Sequence, residues 1–190
     1  QLAVSDCSGV RLNPSRCVRK LDKTAACTLC VDACPVGAIR LEQPIALDQA
    51  ACVRCGLCLH LCPVDAFAGE DGVSDLLTCV SRLETASAIE LTCAVHPEPE
   101  SGPAGVDAVI RVNGCLGSLG SSAYVGLLAL DVEKITVRLD ACAQCPFGMA
   151  RQNITHVIST ANAILSACGK VDRIVEITES AFDAPVQRPV

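Results

Sequence analysis

In the later part of the chain, apolar and polar residues recur at the regular spacings of helices and strands. Leu76, Leu77, Val80 and Leu83 share one helical face, which predicts a helix over 73–83. The same reasoning predicts strands at 88–93, 106–112, 134–139 and 173–177, and further helices at 120–130 and 146–168. Because strands and helices alternate, we expect a small α/β domain with a parallel sheet.

The first third of the chain has a different pattern, with short apolar runs broken by cysteine and proline. Two short strands are predicted, Ile39 to Leu41 and Ile45 to Leu47, joined by a turn at Gln43 and Pro44. The composition changes near residue 69. We therefore expect two modules and a tail: residues 1–70, residues 71–178, and a tail over 179–190 that is either a docking strap or frayed.

Cysteine is the most informative residue type in this chain. Fifteen cysteines are present, and nine of them precede residue 67. A disulfide scaffold is one reading of such a count, but the number is odd, the cysteines bunch in C-x-x-C runs, and the apolar segments can form a core without cross-links. Reduced thiols that bind metal explain the pattern better.

An internal repeat organises the early cysteines. CTLCVDACPVGAI (27–39) and CGLCLHLCPVDAF (55–67) are identical at seven of thirteen positions. The second copy is complete, because Cys52 precedes it and gives the iron–sulfur ligand run C-x2-C-x2-C-x3-C-P. In the first copy, Thr24 stands where the first cysteine of that run should be.

On these motifs, residues 15–70 resemble the bacterial two-cluster ferredoxin family. The resemblance implies two [4Fe–4S] clusters in a pseudo-twofold α+β module, with each run giving three ligands to one cluster and its last cysteine to the other. It implies Cys52, Cys55, Cys58 and Cys34 for one cluster, and Cys27, Cys30 and Cys62 for the other, whose fourth ligand is missing at Thr24.

Three candidates complete the second set of ligands: Cys17, Cys7, or no protein ligand at all. We favour Cys17, because the loop between it and Cys27 closes at a modest entropic cost. A zinc site fits less well, since an all-cysteine zinc site uses two C-x-x-C pairs. His60, within the second run, is expected to be a surface residue rather than a ligand.

Four more cysteines follow the predicted strands of the later module. Cys93, Cys115, and the pair Cys142 and Cys145 lie at the ends of three strands, and the carboxyl ends of parallel strands share one edge of a sheet. We expect these thiols to converge as a third iron–sulfur centre. The alternative is that Cys93 and Cys115 are small buried residues and the pair is a redox or structural dithiol.

From about residue 89 to 177 the chain resembles the delta-subunit family of methyl-viologen-reducing hydrogenases, through LTCAVH, VIRVNGCLG, DVEKITV before DACAQC, and SACGKVDRIVEI. That family carries a cysteine-bound [2Fe–2S] centre, so the resemblance implies an electron relay with a third centre of the [2Fe–2S] or [4Fe–4S] type. Here His96 stands where the family has a second cysteine. We expect His96 to be a solvated loop residue rather than a ligand, and Cys79 and Cys168 to be core residues.

Charge and composition exclude several functions. The formal charge is −6, Trp is absent and only one Tyr is present, so we expect no nucleic-acid partner. No apolar stretch is long enough to span a bilayer and no signal peptide is visible, which favours a cytoplasmic protein, although the sequence begins at Gln1 and an export signal could have preceded it. No catalytic triad, Walker loop or dinucleotide fingerprint is present.

These observations favour an electron-transfer subunit of an oxidoreductase complex, formed by an α+β ferredoxin-like two-cluster module and a small α/β domain with a parallel sheet. We expect a larger oxidoreductase subunit of flavin, hydrogenase or molybdenum/tungsten type as one partner and a soluble ferredoxin as another. The rival hypothesis is a cluster-fed thiol–disulfide reductase in which Cys142 and Cys145 are the active dithiol. A third, weaker one is a zinc-stabilised interaction module.

Overall fold

The computed structural model describes residues 9–42, 44–69, 72–83, 86–97 and 106–179. Four features of the sequence prediction lie wholly or partly outside these residues: Cys7, the turn residue Gln43, the module boundary at 70–71, and residues 180–190 of the tail.

The first part of the chain is built from short elements that follow the internal repeat. They are β1 (Arg11–Leu12), a 3-10 turn (Pro14–Arg16), α1 (Val18–Leu21), α2 (Leu29–Ala33), β2 (Ile39–Arg40), β3 (Ala46–Leu47), α3 (Leu57–Leu61) and β4 (Phe67–Ala68). Each repeat copy forms a helix followed by a strand, α2 with β2 and α3 with β4. The strand β1 pairs antiparallel with β4, and β2 pairs antiparallel with β3. Both predicted short strands are present, each one residue shorter than predicted.

A parallel four-stranded sheet forms the later part of the chain. Its elements are α4 (Val73–Ser81), β5 (Ala88–Thr92), β6 (Ala108–Arg111), a 3-10 turn (Leu116–Ser118), α5 (Ser121–Leu128), β7 (Lys134–Arg138), a 3-10 turn (Asp140–Gln144), α6 (Ala150–Ala167) and β8 (Ile174–Ile177). The strand order is β6-β5-β7-β8, with every pair parallel. The central strands β5 and β7 are buried because Ile89, Leu91, Ile135 and Val137 are wholly covered.

Two predictions about this part are wrong in detail. The last helix begins at Ala150 rather than Pro146, because the chain first turns tightly around Cys142 and Cys145. A Cβ at Gly148 would clash with the carbonyl oxygen of Cys142, so this turn needs a glycine. Cys168 is exposed at the end of α6 rather than in the core, and Cys79 is half-buried.

The two parts of the chain pack against each other through α3. Leu57 on that helix is only 4% exposed and belongs to the same apolar cluster as the sheet and its helices. Opposite α3 lies the 3-10 turn Leu116–Ser118, which follows the second strand of the sheet. Within the residues that the structure describes, no helix has both the length and the apolar character needed to cross a bilayer.

Candidate metal centres

The first group of thiols surrounds a cavity in the early part of the chain. Cys17, Cys27, Cys30 and Cys62 all line one apolar recess. Cys17 reaches it because α1 starts directly after this residue and returns the chain beside Cys27, whose carbonyl oxygen accepts a hydrogen bond from the Arg19 guanidinium at 3.4 Å. Cys17 is therefore the fourth thiol of this group.

Thr24, at the position of the missing cysteine, lies away from this cavity. It is exposed, and both its hydroxyl and its backbone N–H donate hydrogen bonds to the Asp22 carboxylate, at 2.7 Å and 2.8 Å. The position at which the first ligand run lacks a cysteine therefore lies in a surface turn.

The second group lines a neighbouring recess. Its thiols are Cys34, Cys52, Cys55 and Cys58, and the remainder of the lining is apolar. Cys30 lines both recesses, so the two groups share a wall. Cys34, the last cysteine of the first run, lies in the second group, and Cys62, the last cysteine of the second run, lies in the first group. This exchange follows from the close packing of α2 against α3.

Burial keeps three of these thiols protonated in the absence of metal. Burial raises the pKa of Cys30 and of Cys55 to about 11, and that of Cys58 to about 12. Neighbouring thiols of the same group raise these values further, because two thiolates in one recess repel each other. Thiols of this kind become thiolates only when a cationic metal centre binds to them, so metal binding releases protons.

Backbone N–H groups point at the last cysteine of each repeat copy. The N–H of Ala38 lies 3.3 Å from Cys34 Sγ, and the N–H of Ala66 lies 3.3 Å from Cys62 Sγ. The two contacts occupy equivalent positions of the repeat. N–H···S bonds of this kind stabilise negative charge on sulfur and tune the reduction potential of an iron–sulfur site.

A third group of thiols lies at the carboxyl edge of the parallel sheet. Cys93 follows β5, Cys115 follows β6, and Cys142 and Cys145 lie in and after the turn that follows β7. Burial raises the pKa of Cys142 to about 12, with smaller contributions from Cys115, Cys93 and Cys145, so the four thiols are near one another. The N–H of Gly117 donates to Cys115 Sγ at 3.4 Å.

A buried network of charges, which sequence reasoning missed, supports this edge. Arg138 contacts Glu90 at 3.2 Å and Asp140 at 2.7 Å, and Asp140 accepts a hydrogen bond from His96 Nε2 at 3.1 Å. Burial alone would raise the pKa of Asp140, but the hydrogen bonds from Arg138 and His96 hold it below its usual range. The sequence signal was a charge within the apolar strand β5, at Glu90, and a charge that follows the apolar run of β7, at Arg138.

The prediction that His96 is a solvated loop residue is therefore wrong. The residue is 2% exposed, and its ring is held by Asp140. The reason is that the loop after β5 folds inward over the end of the sheet, where the N–H of His96 donates to the carbonyl of Cys93. His96 thus connects the loop of Cys93 with the turn that carries Cys142.

Tyr124 places a hydroxyl close to the third group. The side chain is fully buried, and its hydroxyl has no hydrogen-bond partner among the described residues. Burial raises the pKa of this hydroxyl, and the charges of Glu176 and Cys115 raise it further. A buried donor of this kind is available to an acceptor that binds at the sheet edge.

The second and third groups meet where α3 packs on the turn after Cys115. The charge of Cys115 contributes to the raised pKa of Cys55, so the two thiols are near each other. His60 Nε2 lies 2.5 Å from the carbonyl oxygen of Ser118, so the ring of His60, which was expected at the surface, is half-buried against the other part of the chain. A Cβ at Gly56 would lie 2.5 Å from that of Ser118, which makes glycine necessary here.

The spacing of the thiols does not suit a single ion. Among the described residues, no three His, Cys, Asp or Glu side chains are close enough to hold one metal ion. A zinc ion would need four ligands at about 2.0–2.3 Å. Four thiols distributed around each apolar recess fit a polynuclear cluster better, and thiolate is the ligand that iron–sulfur clusters favour. Among the cysteines that the structure describes, none forms a disulfide.

Comparison with known families agrees with this chemistry. Residues 25–66 match the family model described as a 4Fe-4S dicluster domain. The match covers both repeat copies and stops before Cys93, and Cys17 lies outside it. No curated protein matches the chain. This stretch is accordingly a ferredoxin-type iron–sulfur domain, and its chemistry is that of iron–sulfur electron transfer.

Proposed function

We propose that this protein is an electron-transfer subunit of an oxidoreductase complex, which relays single electrons through two [4Fe–4S] clusters and a third iron–sulfur centre. The observation that carries the proposal is the sorting of twelve cysteines into three groups of four. The proposed ligand sets are Cys17, Cys27, Cys30 and Cys62 for the first centre, Cys34, Cys52, Cys55 and Cys58 for the second, and Cys93, Cys115, Cys142 and Cys145 for the third.

Contacts between the groups support a relay in this order. Cys30 lines the recesses of both the first and the second group. Cys55 of the second group lies near Cys115 of the third. Iron–sulfur clusters supply reversible one-electron transfer, and apolar side chains line both recesses around these thiols.

Support for the subunit role comes from the resemblance of residues 89–177 to the hydrogenase delta-subunit family. On that basis we propose that the partner is a larger oxidoreductase subunit of flavin, hydrogenase or molybdenum/tungsten type, with a soluble ferredoxin as the second partner, and that the protein works in the cytoplasm.

The rival function, a thiol–disulfide reductase, receives less support. A reactive dithiol needs a thiolate of low pKa, whereas burial raises the pKa of Cys142 to about 12. Cys142 also lies near Cys93 and Cys115. A third iron–sulfur centre would give these two cysteines a role as ligands, whereas the dithiol enzyme would give them none.

Anaerobic purification followed by iron and sulfide analysis and EPR of the reduced protein tests the proposal. We expect about ten or twelve iron atoms per chain, according to the type of the third centre. About eight would remove the third centre and return the dithiol to consideration. Protein that is iron-free after anaerobic preparation and cannot accept electrons would refute the proposed function.

A further inference from the structure

The two copies of the repeat differ in what covers them. In the second copy, Gly56, Leu57 and His60 pack against the turn Leu116–Ser118, and Leu57 is 4% exposed. In the first copy the equivalent leucine, Leu29, is 49% exposed. The three equivalent positions of the first copy are all exposed: Thr28, Leu29 and Asp32. The face that holds the sheet domain on one copy is thus open to solvent on the other.

This open face borders the first group of thiols directly. Leu29 and Val18 line the recess that Cys17 and Cys27 also line. A protein bound over Leu29 would therefore lie next to the first centre, as the turn after Cys115 lies next to the second. On α1, Leu21 adds a further apolar side chain that is 72% exposed.

The charge around this face is opposite to that of the whole chain. Whereas the formal charge of the chain is −6, basic side chains outnumber acidic ones within residues 18–23 and 28–32. The basic residues are Arg19, Lys20 and Lys23, and the acidic ones are Asp22 and Asp32. Lys20 and Lys23 are both exposed. An apolar centre with a basic rim favours a partner whose own rim is acidic, because opposite charges speed encounter and orient it.

We propose that residues 18–23 and 28–32, the α1–α2 face, dock a small acidic electron-carrier protein that exchanges electrons with the first centre. This inference rests on the proposed electron-transfer function and adds to it the place and the charge of one partner. The sheet domain occupies the equivalent face of the second copy, so the two ends of the relay serve different proteins. One end meets the carrier and the other lies at the sheet edge.

Charge reversal on the holoprotein tests this proposal. The variant K20E/K23E places acidic residues on the α1–α2 face, and K134E/K170E is the matched control. Lys134 and Lys170 are exposed at the opposite, amino edge of the sheet, and both double variants change the formal charge equally. The probe is a photoreduced acidic [2Fe–2S] ferredoxin, and the readout is the second-order rate of cluster reduction by stopped flow at several ionic strengths.

We expect K20E/K23E to reduce this rate about tenfold at low salt and to abolish its decrease with ionic strength, while the control stays within about twofold of wild type. Equal rates in both variants, or equal slowing of both, would overturn the α1–α2 face as the docking site. Dithionite provides the separate check on the proposed function. If dithionite fully reduces the wild type and both double variants, the proposed electron-transfer function stands whatever the ferredoxin result. If none of these proteins contains iron or is reduced, the proposed function is refuted.

Discussion

Arg138 is the residue whose replacement should damage the proposed third centre most without removing a proposed ligand. It is 6% exposed, and its guanidinium donates hydrogen bonds to Asp140 at 2.7 Å and 2.9 Å and to Glu90 at 3.2 Å. Both carboxylates are themselves almost fully buried. The substitution Arg138→Met keeps much of the side-chain length but leaves two buried negative charges without their counter-ion.

The cost follows from this geometry. Breaking a buried ion pair by removing one partner costs about 3–5 kcal/mol, out of a total stability of about 5–15 kcal/mol for a domain of this size. A loss of about 3 kcal/mol lowers the melting temperature by at least about 12 °C in a domain of about 100 residues. Because Asp140 precedes Cys142 and holds His96 beside the loop of Cys93, the third centre should be lost before the first two.

Thermal unfolding followed by circular dichroism, with iron analysis and EPR on the same anaerobic samples, measures both effects. The control is Lys134→Met, at the exposed start of the same strand, which should change stability by no more than about 0.5 kcal/mol. If Arg138→Met melts with the control and keeps all its iron, the network does not support the sheet edge and our account of it is wrong.

Three further substitutions test other parts of the account. Cys17→Ala should remove the EPR signal of one [4Fe–4S] cluster or convert it to a three-iron signal, whereas Cys168→Ala, at an exposed cysteine, should leave the iron content unchanged. Tyr124→Phe removes a buried donor worth about 1 kcal/mol to a reduced centre, so the potential of the third centre should fall by about 40 mV in a redox titration, and an unchanged potential would exclude this contact. Gly56→Ala and Gly37→Ala both introduce a Cβ at positive φ, which costs about 1–2 kcal/mol of backbone strain. Only at Gly56 does the new Cβ meet another atom, at 2.5 Å, so Gly56→Ala should lower the melting temperature more than Gly37→Ala does. Equal melting temperatures would mean that α3 is not tightly packed at Gly56.

Much of this architecture was predictable because its determinants are local. The helices and strands of the sheet domain were found within a few residues of their predicted positions, since apolar spacing reports which face of each element is buried. The grouping of the repeat cysteines around two recesses is the one that the resemblance to two-cluster ferredoxins implied. The start of α6 was the exception, since the tight turn at Gly148 depends on contact with the carbonyl of Cys142.

The environment of single side chains was less predictable. His96 and His60 were both expected in solvent, and Cys168 in the core, because neighbouring residues in the sequence were the only guide. Whether a side chain is covered depends on elements that are distant in the sequence. Asp140 lies 44 residues from His96, and Ser118 lies 58 residues from His60.

The amino-acid sequence by itself determined the thiol chemistry, the internal repeat and the alternation of strands and helices in the later part. Only the tertiary structure decided that Cys17 joins the first recess, that Glu90, Arg138, Asp140 and His96 form one buried network, and that a single copy of the repeat is covered by the sheet domain. The physical reason is that ligand spacing and apolar periodicity are properties of neighbouring residues, whereas charge pairing and burial depend on which distant surfaces the folded chain brings together.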